Sequence, residues 1–296
     1  MINGVINTES LDEADAIFVS APYEKTASSH KGTASGPQAV IDQLNHQIEF
    51  YDRKFKVNIN DFVKTAHQKL DSLENLSPEE AKEQIKDTFA SIINANKFPF
   101  LLGGEHSVSV GALEAISNKY DPKDVTVLQI DAHCDLRNDD SDYSENPSFF
   151  AHSTVMRRIS EMDYNIVQVG IRTYSKEEYA YFSEINNNVI VFEWGNEILL
   201  PSIQSILESI KTKYLYISID VDGFDPAHMP GTGTAVQGGL EWWYGIELIE
   251  RAIKQHELLG ADIVEVSPIE GSVLTEYGAA QLAYTILAHK FEKKLK

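Results

Sequence analysis

Short apolar β-type runs alternate with amphipathic helical stretches along nearly all of this 296-residue chain, and that alternation admits few folds. The runs fall at residues 16–20, 98–102, 125–131, 166–170, 189–192, 214–220 and 261–266. Pro37 suits the first turn of a helix through Val40, Ile41 and Leu44. Ser77-Pro78-Glu79-Glu80 joins a capping serine to a proline at the first helical position and a glutamate three residues on. That helix carries Ala81, Ile85, Phe89, Ile92 and Ile93 as its buried stripe and ends near Asn96. Further helices are expected at 107–119, from 151, and at 175–184, 201–211, 242–257 and 276–290, whereas 46–76 has no regular pattern. Repetition of strand, loop and helix without a composition break predicts one α/β domain over 1–296, built on a largely parallel sheet of about eight strands.

Charge narrows the partners. With 25 Lys and Arg against 45 Asp and Glu, the formal charge of -20 argues against nucleic acid or an anionic membrane and suits cationic small molecules and bound cations. No apolar stretch has membrane-spanning length. The single cysteine, Cys134, excludes an internal disulfide, and Met1-Ile2-Asn3-Gly4-Val5 opens no signal-peptide pattern, so a cytoplasmic location is expected.

In such sheets ligands bind beyond the carboxyl ends of the strands, and the chemistry-bearing residues of this chain gather there. After the run ending at Ile130 come Asp131, His133 and Asp135, which share one face of an extended strand while Ala132 and Cys134 share the other. Asp220 and Asp222 end a second run, His106 follows Gly103-Gly104-Glu105, and Glu265 ends the last strand. Carboxylates converging on one cleft repel each other unless cations sit between them. Oxygen ligands with some imidazole suit hard or borderline divalent ions, Mn2+ above all. Six ligands are too many for one catalytic ion that keeps an open position, whereas bridging carboxylates hold a pair of ions about 3.5–4 Å apart. Four aspartates balance two dications.

Gly103-Gly104-Glu105-His106-Ser107, Asp131-Ala132-His133-Cys134-Asp135, Ser218-Ile219-Asp220-Val221-Asp222-Gly223-Phe224-Asp225-Pro226 and Glu265-Val266-Ser267-Pro268 together resemble the ureohydrolase (arginase/agmatinase) family, most closely agmatinases. The segment Gly32 to Pro37 extends the likeness over nearly the whole chain. The resemblance implies a three-layer α/β/α fold, two Mn2+ per subunit, and hydrolysis of a guanidino compound to urea and an amine by a hydroxide between the metals. It implies His106, Asp131, His133, Asp135, Asp220 and Asp222 as metal ligands, His152 as a proton shuttle, and Glu265 as the partner of the substrate guanidinium. Trimers or hexamers follow from the same likeness. Glu105 stands where many members have Asp.

The long loop after Asp135 carries Asp139, Asp140, Asp142 and Glu145 against Arg137, which favours a cationic tail over a carboxylate. Asn138, Asp139, His152 and Glu265 are the expected substrate contacts, and agmatine, giving putrescine and urea, is the first-choice substrate. Arginine and guanidinobutyrate are the alternatives. From other classes come a zinc-dependent deacylase, which would also use D-x-H-x-D, and a non-catalytic metal-binding homologue. Cys134 reads as buried filler, Asp225 as a turn-shaping residue, His30 as solvated, Trp242 and Trp243 as core or subunit contacts, and His228 has a lesser claim on the pocket entrance.

Overall fold

The computed structural model describes residues 4–28, 30–184, 187–195 and 200–296; the opening Met1 to Asn3 and Ser29 of the early polar loop lie outside the described residues. Within them eight strands form one sheet: β1 (Ala16–Ala21), β2 (Thr65–Lys69), β3 (Phe98–Gly103), β4 (Val125–Ile130), β5 (Asn165–Ile171), β6 (Val189–Glu193), β7 (Tyr214–Asp220) and β8 (Glu257–Val264). The spatial order is β2-β1-β3-β8-β7-β4-β5-β6, and every pairing is parallel. The connecting helices are α1 (Gly36–His46), α2 (Pro78–Asn94), α3 (Ser109–Ser117), α4 (Val155–Glu161), α5 (Lys176–Phe182), α6 (Ile203–Ser209), α7 (Trp242–Gln255) and α8 (Leu274–Lys290).

Two cores flank the sheet. Leu128, Ile130, Ile217 and Ile219 pack on one face with Val40 and Leu44 of α1, Ile206 of α6, Ile249 of α7 and Ile286 of α8. Val125, Val127, Val19 and Leu101 pack on the other with Ile85 and Phe89 of α2, Leu113 of α3 and Ile159 of α4. Burial on both faces is why the central strands read as unbroken apolar runs. The architecture is thus the expected three-layer α/β/α arrangement.

Local signals held where they had a mechanism. Ser77 Oγ accepts from Glu80 N and Glu80 Oε2 from Ser77 N, closing a capping box, and Ser175 and Glu178 close a second one at α5. The irregular stretch holds a short antiparallel pair, Tyr51–Asp52 with Val57–Asn58, and one strand of the main sheet, β2, none of which is expected from the sequence. Strand β2 pairs only with β1 at the sheet edge and has the polar sequence Thr65-Ala66-His67-Gln68-Lys69, so it lacks the apolar run that marks a two-sided strand.

The chain lays β1 and β3 together, continues from β4 to β6 elsewhere, and only then returns to fill the space between β3 and β4 with β7 and β8. Register makes their ends level: Ile130 pairs with Ile219, Ile263 with Ile219, and Ile263 with Leu102. The carboxyl ends of β3, β8, β7 and β4 therefore open onto one crevice.

Candidate metal centre and active site

All six expected ligands meet in that crevice, buried except for His133, which is partly exposed. His106, Asp131 and Asp135 form one group able to hold an ion, and Asp131, His133 and Asp222 form another. Asp131 is common to both: its Oδ2 lies 3.2 Å from His106 Nδ1 and its Oδ1 3.6 Å from His133 Nδ1. His106 Nδ1 is also 3.2 Å from Asp135 Oδ2 and 3.6 Å from Asp220 Oδ2, and His133 Nδ1 is 3.1 Å from Asp222 Oδ2. Two adjoining sites that share a carboxylate are the arrangement a pair of divalent cations requires.

Close backbone packing brings these ends together. A Cβ on Gly104 would lie 2.0 Å from Tyr23 O, and one on Gly223 2.5 Å from Asp131 N, so glycine alone lets the β3 turn meet the β1 loop and the second acidic motif meet the first. Asp135 and Glu265 both have left-handed backbones, at φ 53° and 62°. Strain of this kind in non-glycine residues concentrates at functional sites.

The donor set fits cations. His106 Nδ1 is buried and makes no hydrogen bond among the described residues, although three carboxylate oxygens face it. Its Nε2 is 2.9 Å from Ser218 Oγ, which donates to Asp262 Oδ1 at 2.7 Å; Tyr216 OH donates to Asp262 Oδ2 at 2.8 Å. With the serine proton committed to Asp262, Nε2 must donate and Nδ1 keeps its lone pair for a ligand. Burial and then repulsion from Asp131 push Asp135 up to about 6, while burial, Asp222 and Asp131 push Asp220 well above the usual carboxylate range. Burial disfavours charge on the two histidines, yet the facing carboxylates raise both well above the ordinary value. Protons thus hold the cluster together where dications can replace them.

A cavity of about 260 Å³ opens above, walled by His133, Asp135, Asp220, His152, Thr234, Arg137, Tyr143, Tyr174 and Glu178 among others. His152 begins the turn leading into α4, with Nδ1 3.6 Å from Glu265 Oε1. Burial works against its charged form, but Glu265, then Glu105 and Asp135, outweigh this and push it up to about 9. His152 Nε2 is buried and has no hydrogen-bond partner among the described residues. Glu265 is buried beside His152, and its Oε1 accepts from His106 N at 2.9 Å.

Asn138 and Asp139 are not brought to the cavity. Asn138 is exposed and donates to Asp139 Oδ2 at 3.2 Å, and Asp139 Oδ1 accepts from Ser141 N at 3.0 Å. The other loop acids are also engaged locally: Asp140 accepts from Ser148 N, and Asp142 pairs with Arg137. The loop folds by capping its own N–H groups, so none of its acids lines the cavity: Asp140 is buried within the loop and Asp142 and Glu145 are exposed, while Arg137 and Tyr143 face the cavity. That corrects the expectation built on the loop's charge. His228 pairs with Glu241 at 3.1 Å instead of lining the cavity, Asp225 accepts from Ala227 N, Gly238 N and Gly239 N as a turn former, and burial pushes the Cys134 thiol up.

Several contributors had no sequence signal. Thr234 donates to Asp222 Oδ2 at 3.0 Å. Arg172 donates to the carbonyls of Gly170, Asp222, Gly223, Val236 and Gln237, tying the overhanging loop, residues 224–240, to the end of β7. Their partners are distant in sequence or are backbone atoms, which no local pattern marks.

The profile of the arginase family matches residues 14–289. An N(1)-aminopropylagmatine ureohydrolase from Synechocystis sp. is 33% identical over 97% of this chain and 92% of its own length, and the agmatinase of Bacillus subtilis is 32% identical over 87% and 85%. The agmatine ureohydrolase of Thermoplasma volcanium superimposes with a TM-score of 0.84 at 26% identity, covering 99% of this chain and 95% of that one. With its eight-stranded parallel sheet and its double group of His and Asp at the strand ends, the chain belongs to the arginase family, whose ureohydrolases cleave amidino and guanidino C–N bonds.

Proposed function

We propose that this chain hydrolyses a guanidino amine to urea and the free amine with two Mn2+ bound, agmatine to putrescine and urea being the first choice. The observation that carries the reading is the pair of ligand groups sharing Asp131 beneath a cavity that also holds His152. His106, Asp131 and Asp135 with Asp220 would hold one ion, and Asp131, His133 and Asp222 the other. When bound, such a pair supplies Lewis acidity and a water acidified enough to attack the guanidinium carbon.

The protein's own groups do the rest. Glu265, outside both ligand groups, would take the guanidinium through charge-assisted hydrogen bonds and fix its carbon above the metals. His152, favoured in its protonated form, would pass a proton from Nε2 to the departing nitrogen, whose loss as an anion is prohibitive. A second ligand group beside the first speaks against a zinc deacylase, and the complete candidate ligand set speaks against a non-catalytic homologue. A homo-oligomer, trimer or hexamer, belongs to the same reading.

One observation favours a second substrate. A cleft of about 500 Å³ shares Ser28 and Tyr143 with the metal cavity and adds Phe149 and the acids Glu79 and Asp140 against one cation, Lys25, room for a longer cationic tail such as that of N1-aminopropylagmatine. The test is urea release by manganese-loaded protein from agmatine, N1-aminopropylagmatine, arginine and guanidinobutyrate. Agmatine or its aminopropyl derivative should lead; faster turnover of arginine or guanidinobutyrate overturns the substrate reading.

A further inference from the structure

Glu105 is a fully buried carboxylate that pairs with no Lys or Arg among the described residues and belongs to neither ligand group. Burying such a group without partners is costly, so its hydrogen bonds carry information. Both its oxygens go to one residue of the β1 loop: Oε1 accepts from Thr26 N at 2.8 Å and Oε2 from the Thr26 hydroxyl. The hydroxyl proton is thereby committed to Glu105, and Thr26 Oγ1 turns its lone pairs to His152 N, 3.2 Å away.

The next residue completes the arrangement. His106 N donates to Glu265 Oε1, which lies 3.6 Å from the His152 ring. His152 is therefore held twice, by its main chain through Thr26 and by its ring through Glu265, and both holds start from the consecutive residues Glu105 and His106. His152 follows the long loop after β4 with no strand or preceding helix to fix it; Arg137 N and Tyr143 OH hold the next residue, Ser153, and the Thr26 contact holds His152 itself.

We propose that Thr26 and Glu105 are positioning residues for His152, setting where its imidazole stands for proton transfer. This rests on the role given to His152 above. The length of the Glu105 side chain supplies the reach to both the N–H and the hydroxyl of Thr26.

The test uses the manganese-loaded protein and four variants: Thr26→Val, which removes the hydroxyl at similar volume, Thr26→Ser, which restores it, His152→Asn, and the double variant Thr26→Val/His152→Asn. Thr26→Val should lower kcat on the order of tenfold to a hundredfold, the scale of a small misplacement of a catalytic group, with KM and metal content little changed. Thr26→Ser should recover most of the loss, and the double variant should be no slower than His152→Asn alone, because residues acting through one another do not add. The His152 amide should lose exchange protection on the order of tenfold in Thr26→Val and keep it in Thr26→Ser.

Wild-type kcat in Thr26→Val beside a slow His152→Asn overturns the positioning alone. So does a multiplicative loss in the double variant, unchanged exchange at the amide, or a loss confined to metal content. Wild-type kcat in His152→Asn removes the role of His152, and the positioning falls with it. Should Thr26→Val not fold, Glu105→Asp, which shortens the reach by one methylene, carries the same comparison of kcat and amide exchange.

Discussion

Ser218 Oγ lies 2.9 Å from His106 Nε2, and because its own proton goes to Asp262 it accepts from the imidazole and fixes which nitrogen faces the carboxylates. Ser218→Ala removes that acceptor while leaving the ring in place. Loss of such an outer partner costs roughly 10- to 100-fold in metal affinity. Calorimetric titration with Mn2+ should show that loss, and an unchanged Kd would show that the tautomer needs no fixing.

Cation binding has to displace protons from this site, since Asp135 is raised to about 6 and both His106 and His133 lie well above the ordinary histidine value. Each displaced proton makes binding tighter as pH rises towards the folded value of its group. In the metal-free protein Asp135 works the other way: its folded value exceeds its unfolded one, so it costs stability as pH rises from about 4 to about 6. The rise in Tm produced by Mn2+ should therefore be larger at about pH 8 than at about pH 5.5. Equal or reversed shifts would rule out proton displacement.

Arg172 satisfies five carbonyls at once, two of them on Asp222 and Gly223 and two on the overhanging loop. Lysine keeps the charge but offers three donors without the planar fork. Arg172→Lys should cost about 2–3 kcal/mol, from carbonyls left without partners. Denaturant unfolding measures this, and metal content should fall with it because Asp222 loses its brace. A cost below about 0.5 kcal/mol, typical of surface changes, would contradict the role.

Arg137 stands in the cavity wall with its charge met by the exposed Asp142. Asp142→Asn leaves that positive charge facing the substrate. KM for agmatine should rise a few fold, on the scale of an exposed charge pair, with kcat little changed, and the effect should shrink at high salt. A fall in KM would show that Asp142 does not shield the arginine.

Much of this was legible because the chemistry sits at the ends of buried strands. The apolar run of β4 leads straight to Asp131, His133 and Asp135 and is unbroken because helices cover both faces, but the strand stops at Ile130 and Asp135 turns left-handed, so the three converge from a strand end and not from one extended face. The edge strand β2 was missed for the converse reason. Asn138 and Asp139 were misplaced because a loop has no period, and capping of nearby N–H groups decides which way its side chains turn. Thr26, Ser218, Asp262 and Arg172 were invisible because each acts on a partner far away in sequence or on a backbone atom.

The late arrival of β7 and β8 between β3 and β4 also sets a timetable. A nascent chain ending before Tyr214 already carries His106, Asp131, His133 and Asp135, but the two strands that hold those ends at their final spacing have not been made. The flanking strands must wait for long-range pairing, so closure of the sheet and completion of the metal cluster become one event late in folding. A divalent cation supplied during refolding should act on that last step, and would then fasten the finished sheet.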